Sequence, residues 1–190
     1  MNADEVLNRL VEGNKRFMSG NLEPKDVKGK REASKTGQKP MATIICCSDS
    51  RVVPEFIFNT NLEDIFTIIT AGNVVGDISL GSIEYAVGHL HTPVLIVMGH
   101  EKCGAVTASY DNYKEASITK IMEKINPATE KVKKGGDKTD EIEQAVIENI
   151  KNVIEDIKKS PVVSKALNDG SLRIVGAKYY FEDGRVEIIE

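Results

Sequence analysis

The chain contains a short, continuous apolar run, Met41-Ala42-Thr43-Ile44-Ile45-Cys46-Cys47, directly after Pro40. Three further runs of the same kind follow it, at residues 65–69, 93–98 and 172–177. Runs this short and this uniformly apolar are typical of strands that are covered on both faces, as in a parallel sheet with helices on each side. We therefore expect these segments to form the centre of one sheet.

Helical patterns alternate with these runs. Apolar residues recur at helical spacing over three segments, at about 4–18, 79–91 and 137–158. Near the C-terminus, Asp183-Gly184 lies between two strand-like runs and predicts a β-hairpin. The sequence thus predicts an α/β fold, in which a central, mostly parallel β-sheet is flanked by helices and ends in a C-terminal β-hairpin.

The length of the chain predicts one domain over residues 1–190. Within it, residues 1–39 are expected to form a helical N-terminal arm and residues 40–190 the α/β core. The part of the arm at 23–39 is rich in lysine and has few apolar anchors, so we interpret it as a solvated, partly helical segment.

The composition argues against several classes of protein. No apolar run approaches the roughly 20 residues that a membrane-spanning helix needs. Twenty-five Lys and Arg against 29 Asp and Glu leave a formal net charge of -4, which provides no general attraction to nucleic acid or to an anionic membrane. The first residues lack the basic-then-apolar order of a signal peptide. We expect a soluble, cytoplasmic protein that binds neither nucleic acid nor membrane.

Polar clusters follow the first and the third apolar runs. Cys47 leads into Ser48-Asp49-Ser50-Arg51, and the third run leads into His100 and Cys103. Because ligands collect beyond the carboxyl ends of parallel strands, both clusters are expected at the same edge of the sheet. Two cysteines and one histidine that converge there form a suitable ligand set for Zn²⁺. Three protein ligands leave the fourth position open, which is typical of a catalytic zinc site.

Other interpretations of these residues are weaker. Three cysteines are an odd number, and Cys46 points to the opposite face of a strand from its neighbour, so a disulfide framework is a poor interpretation. A phosphatase-type loop needs five residues between Cys and Arg, whereas Cys46 and Arg51 have four between them. Residues 71–76 lack the phosphate-binding glycine patterns and predict a turn with close backbone packing. His89 and His91 are expected to be exposed or bonded to the backbone.

Together, the segment 47–51 and the His100-x-x-Cys103 motif resemble the β-class carbonic anhydrases. The likeness extends to three further segments, at residues 37–40, 71–73 and 82–87. The resemblance implies a zinc lyase that interconverts carbon dioxide and bicarbonate. It also implies a parallel-sheet core and a homodimer or higher homo-oligomer.

The resemblance implies roles for residues around the expected metal site. Cys47, His100 and Cys103 match the zinc ligands of the family, and Asp49 and Arg51 match its Asp–Arg dyad. An ionised Asp49 only accepts hydrogen bonds, so it can orient the nucleophile towards carbon dioxide. The planar guanidinium of Arg51 is matched to a carboxylate and would hold Asp49 in place.

The same match implies which residues bind the substrate. Gln38, Phe66 and Tyr85 would shape the carbon dioxide pocket, with Phe66 and Tyr85 supplied by the partner subunit. Gly104 follows the third metal ligand, at the position where a backbone amide helps to bind substrate in members of the family.

Two alternatives remain open at this point. One is a hydrolase of carbon disulfide or carbonyl sulfide, because such enzymes resemble this family throughout the zinc site. The other is a zinc-binding module without turnover, in which a fourth protein ligand would close the metal site.

Overall fold

The computed structural model describes residues 1–189 and contains one five-stranded sheet. Its strands are β1 (Ala42–Cys47), β2 (Ile65–Thr70), β3 (Val94–His100), β4 (Arg173–Tyr179) and β5 (Val186–Ile189). The strand order is β2-β1-β3-β4-β5. All neighbouring strands are parallel except β4 and β5, which are antiparallel. This arrangement confirms the predicted α/β fold and its C-terminal hairpin.

Helices connect the strands and cover both faces of the sheet. They are α1 (Ala3–Ser19), α2 (Val27–Ala33), α3 (Pro54–Ile57), α4 (Asp77–Gly88), α5 (Gly104–Tyr110), α6 (Ile118–Val132), α7 (Lys138–Lys158) and α8 (Pro161–Asn168). Short 3₁₀ turns lie at Ser34–Thr36 and Ala71–Asn73. The expected helices correspond to α1, α4 and α7. Helices α3, α5 and α8 were not expected, because they are too short to give a clear periodic signal. Helix α6 was not expected either, because it contains Pro127. Within residues 1–189, none of the helices combines the length and apolar character of a membrane span.

The two faces of the sheet have separate apolar cores. One core lies beneath α1 and α3 and includes Leu10 and Phe58. The other lies beneath α4, α6, α7 and α8 and includes Ile83 and Ile150. Alternation along β1 sends Cys46 into the first core and Cys47 into the second, as the strand geometry predicts.

Helix α1 is fixed by caps and by one buried amide that joins it to the rest of the chain. Asn2 and Glu5 form a capping box at its start, and Gly20 ends it in the left-handed conformation with a φ of 72°. The side chain of Asn14 donates hydrogen bonds to the carbonyl oxygens of Ile57 and Gly184, at 3.1 and 2.9 Å. The N-terminal helix is thereby tied to the C-terminal hairpin.

Helix α7 lies unusually close to the sheet because two strand positions are glycines. A Cβ on Gly99 of β3 would lie 2.9 Å from Cδ1 of Ile150, and a Cβ on Gly176 of β4 would lie 2.8 Å from Cγ2 of the same side chain. Both distances are too short for a real side chain. The close approach brings the neighbouring Asn149 to the loop that follows β2.

Candidate active site

Three possible metal ligands converge at the carboxyl edge of the sheet. Cys47 is the last residue of β1, His100 is the last residue of β3, and Cys103 directly precedes α5. One ligand atom from each residue lies within 4.8 Å of the other two, and all three residues are buried. The parallel topology produces this convergence, because β1 and β3 are adjacent and end at the same edge.

The hydrogen bonding of His100 leaves one ring nitrogen ready to bind a metal. Its Nδ1 lies 2.8 Å from the carbonyl oxygen of Glu101, and because that oxygen only accepts, Nδ1 must carry the proton. Nε2 is therefore a lone-pair acceptor, and it is buried without a hydrogen-bond partner among the described residues. A buried polar atom without a hydrogen-bond partner is rare unless it binds a metal ion or another ligand. The donor set of two sulfurs and one imidazole nitrogen fits a zinc ion.

The environment distinguishes the two adjacent cysteines. A hydrogen bond from Cys103 and one from the Gly72 amide hold the pKa of Cys47 well below that of a free thiol, although burial opposes them. The pKa of Cys103 is raised because it shares a proton with Cys47 and is buried. Burial raises the pKa of Cys46 to about 12, so that thiol stays protonated. The thiolate, which is the form that binds metals, therefore belongs to the Cys47–Cys103 pair.

A glycine turn and a buried amide support the first cysteine. The N–H of Gly72 donates to Sγ of Cys47 at 3.3 Å. The carbonyl of Gly72 accepts from Nδ2 of Asn149 at 2.9 Å. The turn expected at 71–76 is present. Its support of Cys47 and the part that Asn149 plays in that support were not predicted from the sequence. The signal was available, because Asn149 interrupts the run of apolar residues that α7 buries from Ile142 to Ile157.

Replacing Gly72 with alanine should destabilise the protein strongly. Gly72 has a φ of +68°, and an added Cβ would lie 2.7 Å from Cδ1 of Ile125 and 3.1 Å from Cβ of Ala105. We expect the free energy of unfolding to fall by about 3 kcal/mol, from backbone strain and overpacking together. Gly20→Ala is the matched control, since Gly20 has a φ of +72° but open space around it, and should cost only about 1 kcal/mol. Chemical denaturation measures both values, and equal losses would show that the packing contributes nothing.

The loop after β1 carries a tight pair formed by Asp49 and Arg51. Nε of Arg51 donates to Oδ1 of Asp49 at 2.9 Å, and one terminal nitrogen donates to Oδ2 at 2.8 Å. The backbone N–H of Arg51 also donates to Oδ1, at 3.0 Å. These bonds hold the pKa of the Asp49 carboxyl well below its usual range, so the group is ionised and accepts hydrogen bonds only.

The residues expected to bind substrate fall into two groups. Gly104 begins α5 beside Cys103, where the helix does not use its backbone N–H. Gln38 is exposed and precedes β1, at the opposite end of a strand that spans about 20 Å. Phe66 lies near the start of β2, and its ring centroid is 6.2 Å from that of Tyr85 on α4. Within one chain, only Gly104 of these four is beside the three possible metal ligands. The two remaining histidines, at positions 89 and 91, are exposed.

Comparisons with known proteins agree with this site. Residues 42–186 match the family model for carbonic anhydrase. The chain is 37% identical over 183 residues to carbonic anhydrase 2 of Mycobacterium tuberculosis (strain CDC 1551 / Oshkosh), covering 93% of this chain and 87% of the relative. It is 35% identical over 187 residues to the carbonic anhydrase of Mycolicibacterium smegmatis, covering 94% and 89% respectively.

Among solved structures, the β-carbonic anhydrase CcaA superposes with a TM-score of 0.79 at 28% identity, covering 97% of this chain and 87% of that one. The segment that matches the family model, residues 42–186, includes β1 and β3 and the three residues that converge at the sheet edge. Fold, site and relatives agree, and the chain belongs to the β-carbonic anhydrase family, whose members interconvert carbon dioxide and bicarbonate.

Proposed function

We propose that Cys47, His100 and Cys103 hold one zinc ion and that this centre carries out the reversible hydration of carbon dioxide to bicarbonate and a proton. The observation that carries the proposal is Nε2 of His100, which is buried without a hydrogen-bond partner among the described residues and faces two cysteine sulfurs. Zinc bound by three such ligands would lower the pKa of a coordinated water and so supply the nucleophile.

The residues of this chain then orient the reaction. The ionised Asp49 accepts a hydrogen bond from the attacking oxygen, which turns a lone pair of that oxygen towards the carbon of carbon dioxide. Arg51 fixes the Asp49 carboxylate through two parallel hydrogen bonds, so the acceptor is positioned before substrate arrives. The free N–H of Gly104 donates to a substrate oxygen, on which negative charge develops as the new carbon–oxygen bond forms. The reaction consumes one water and releases one proton to solvent.

Titration of the metal-free chain with Co²⁺ tests the ligand set directly. We expect thiolate-to-cobalt absorption to rise linearly and to saturate at one equivalent, because two cysteine sulfurs bind the ion. Cys46→Ser should leave this absorption unchanged, since Cys46 lies in the opposite core. Saturation without thiolate absorption would rule out the proposed ligands.

We also propose that the active species is a homodimer formed through the β2 side of the sheet. β2 is an edge strand, and an unpaired edge with exposed apolar side chains is a typical association surface. Ile69 is 56% exposed and Ile78 is 88% exposed, and both line a cleft of about 770 Å³. Phe66 lines the same cleft. A partner seated there would bring its own pocket residues towards the metal centre.

Position in the fold supports a shared site. Gln38, Phe66 and Tyr85 match the pocket of the family, yet they lie at a distance from the ligands of their own chain. We therefore propose that all three act in the partner subunit, which extends to Gln38 the assignment that the sequence suggested for the two aromatic residues. A centre that depends on two reduced cysteines also suits the reducing cytoplasm, where we propose that the protein acts.

Ile78→Asp should separate the subunits without unfolding them. The side chain is almost fully exposed in the single chain, so a carboxylate there costs little until it is buried in an interface. We expect sedimentation at micromolar concentration to change from dimer to monomer, with one zinc retained and hydration greatly reduced. Val162→Asp on α8, an exposed apolar residue outside the cleft, is the control and should remain dimeric. A monomeric Ile78→Asp variant with full activity would refute the shared site.

A further inference from the structure

The turn between β4 and β5 places an aromatic ring against the proposed active site. The guanidinium carbon of Arg51 lies 3.9 Å from the ring centroid of Phe181. The same ring is 5.2 Å from the imidazole of His100 and 5.4 Å from Tyr179, which it meets at 89°. One side chain therefore contacts both the Asp49–Arg51 pair and a metal ligand, although it lies 130 positions from Arg51 in the sequence.

The backbone of this turn is fastened to the end of β3. Oε1 of Glu101 accepts hydrogen bonds from the N–H groups of Phe181 and Glu182, at 2.6 and 3.2 Å. The N–H of Glu101 donates to the carbonyl of Tyr179 at 3.0 Å. Because Glu101 also accepts from His100 through its own carbonyl, the turn and the metal ligand share one anchor. The position of the Phe181 ring is thus set by the residue next to His100.

Arg51 needs such support. Its side chain is 56% exposed, and a long, exposed side chain samples many rotamers unless packing restricts it. The guanidinium carbon lies over this ring, the position that stacking on the flat face of the group requires, while Nε and one terminal nitrogen stay directed at Asp49. Stacking on a ring face and bidentate bonding at the edge are compatible in arginine because the guanidinium is planar.

We propose that Phe181 is a positioning residue for hydration: its ring holds the Arg51 guanidinium in the orientation that fixes the Asp49 carboxylate, and it supports the His100 ring from the same side. The inference rests on the proposed roles of Asp49 and Arg51. Phe181 acts through them and touches neither substrate nor metal.

The packing can be measured independently of activity. Nε of Arg51 is bonded to the guanidinium carbon that lies over the Phe181 ring, so we expect the NMR resonance of its proton to be shifted upfield by the ring current. Its disappearance in Arg51→Lys identifies the signal. The upfield shift should be lost in Phe181→Leu and kept in Phe181→Tyr, which preserves the ring face. An unshifted signal in the wild-type chain overturns the proposal, even if Phe181→Leu does not fold.

Kinetics then test the consequence of the packing. We expect Phe181→Leu to keep one zinc per chain and to lose about two- to fivefold in kcat/KM, the loss that a solvent-exposed cation–π contact implies. Phe181→Tyr should restore most of the rate. In an Arg51→Ala background, the leucine substitution should cause little further loss, because the contact it removes is already gone.

Tyr180→Leu is the matched control. Tyr180 follows β4 directly, and its ring centroid lies 3.6 Å from the guanidinium carbon of Arg185. The leucine substitution therefore removes a similar contact, but one that does not involve Arg51. Its rate should stay close to that of the wild type. An active wild type whose rate Phe181→Leu leaves unchanged refutes this inference alone, whereas an inactive, zinc-loaded wild type refutes the proposed function and the inference with it. Equal losses in Tyr180→Leu and Phe181→Leu would also overturn the inference, since they would indicate a general effect of the turn.

Discussion

Alanine at Cys47, His100 or Cys103 will reduce the zinc content of the purified chain from about one ion to near zero and will lower carbon dioxide hydration by more than about 100-fold. The proposed site has three protein ligands whose atoms lie within 4.8 Å of one another, so each substitution leaves only two of them to hold the ion. Even the loss of an outer partner of a metal ligand typically costs 10- to 100-fold in affinity or activity, and we expect removal of a ligand itself to cost more. Metal analysis and hydration rates of the three variants measure both effects.

Cys46→Ala is the internal control for this experiment. Cys46 is adjacent in sequence and equally buried, but it lies in the core beneath α1 and α3, and its thiol stays protonated. The variant should retain full zinc and nearly full activity, with only the stability loss that a small cavity brings. Full zinc in Cys47→Ala together with loss of zinc in Cys46→Ala would reverse the ligand assignment.

Asp49→Asn will keep zinc but lose about 10²- to 10⁴-fold in hydration rate, the range typical of removing a positioned proton-acceptor group. The amide preserves the size of the side chain, but its NH₂ group donates where the mechanism needs an acceptor, and it repels the donors of Arg51. Zinc analysis separates this effect from loss of the metal. Stopped-flow rates at saturating carbon dioxide then give the change in kcat.

The chain offers a matched control for this substitution. Asp183 and Arg185 repeat the Asp-x-Arg arrangement in the C-terminal turn: the Arg185 N–H donates to Oδ1 of Asp183 at 3.0 Å, and its Nε lies 3.3 Å from Oδ2. Asp183→Asn thus breaks a similar pair away from the metal ligands and should leave the rate unchanged. If Asp49→Asn retained wild-type turnover, the Asp–Arg pair would have no part in the reaction.

The sheet and the convergence of Cys47, His100 and Cys103 could be predicted from the sequence because short-range signals determine them. Uniformly apolar runs marked β1 to β4, and the parallel topology alone brings Cys47 and His100 to one edge. Alternation along β1 then distinguished Cys47 from Cys46. These inferences needed only local pattern and one rule of sheet topology.

The supporting residues could not be predicted in the same way, because their roles depend on contacts between distant parts of the chain. Asn149 meets Gly72 only because glycines let α7 approach the sheet closely. Phe181 reaches Arg51 only because the hairpin turn is anchored to Glu101. In the sequence, Phe181 is one of several aromatic residues in a strand-like run. The roles that we propose for Gln38, Phe66 and Tyr85 depend on the proposed subunit contact, which no local pattern describes.

Initial-rate stopped-flow hydration of carbon dioxide, on purified protein with one zinc per chain and with carbon disulfide as a parallel substrate, tests the central claim most directly. We predict zinc-dependent proton release from carbon dioxide that disappears on chelation, returns on adding back one equivalent of Zn²⁺, and greatly exceeds any turnover of carbon disulfide. A chain that carries one zinc and leaves the uncatalysed hydration rate unchanged, or that turns over only carbon disulfide, would contradict the proposed function.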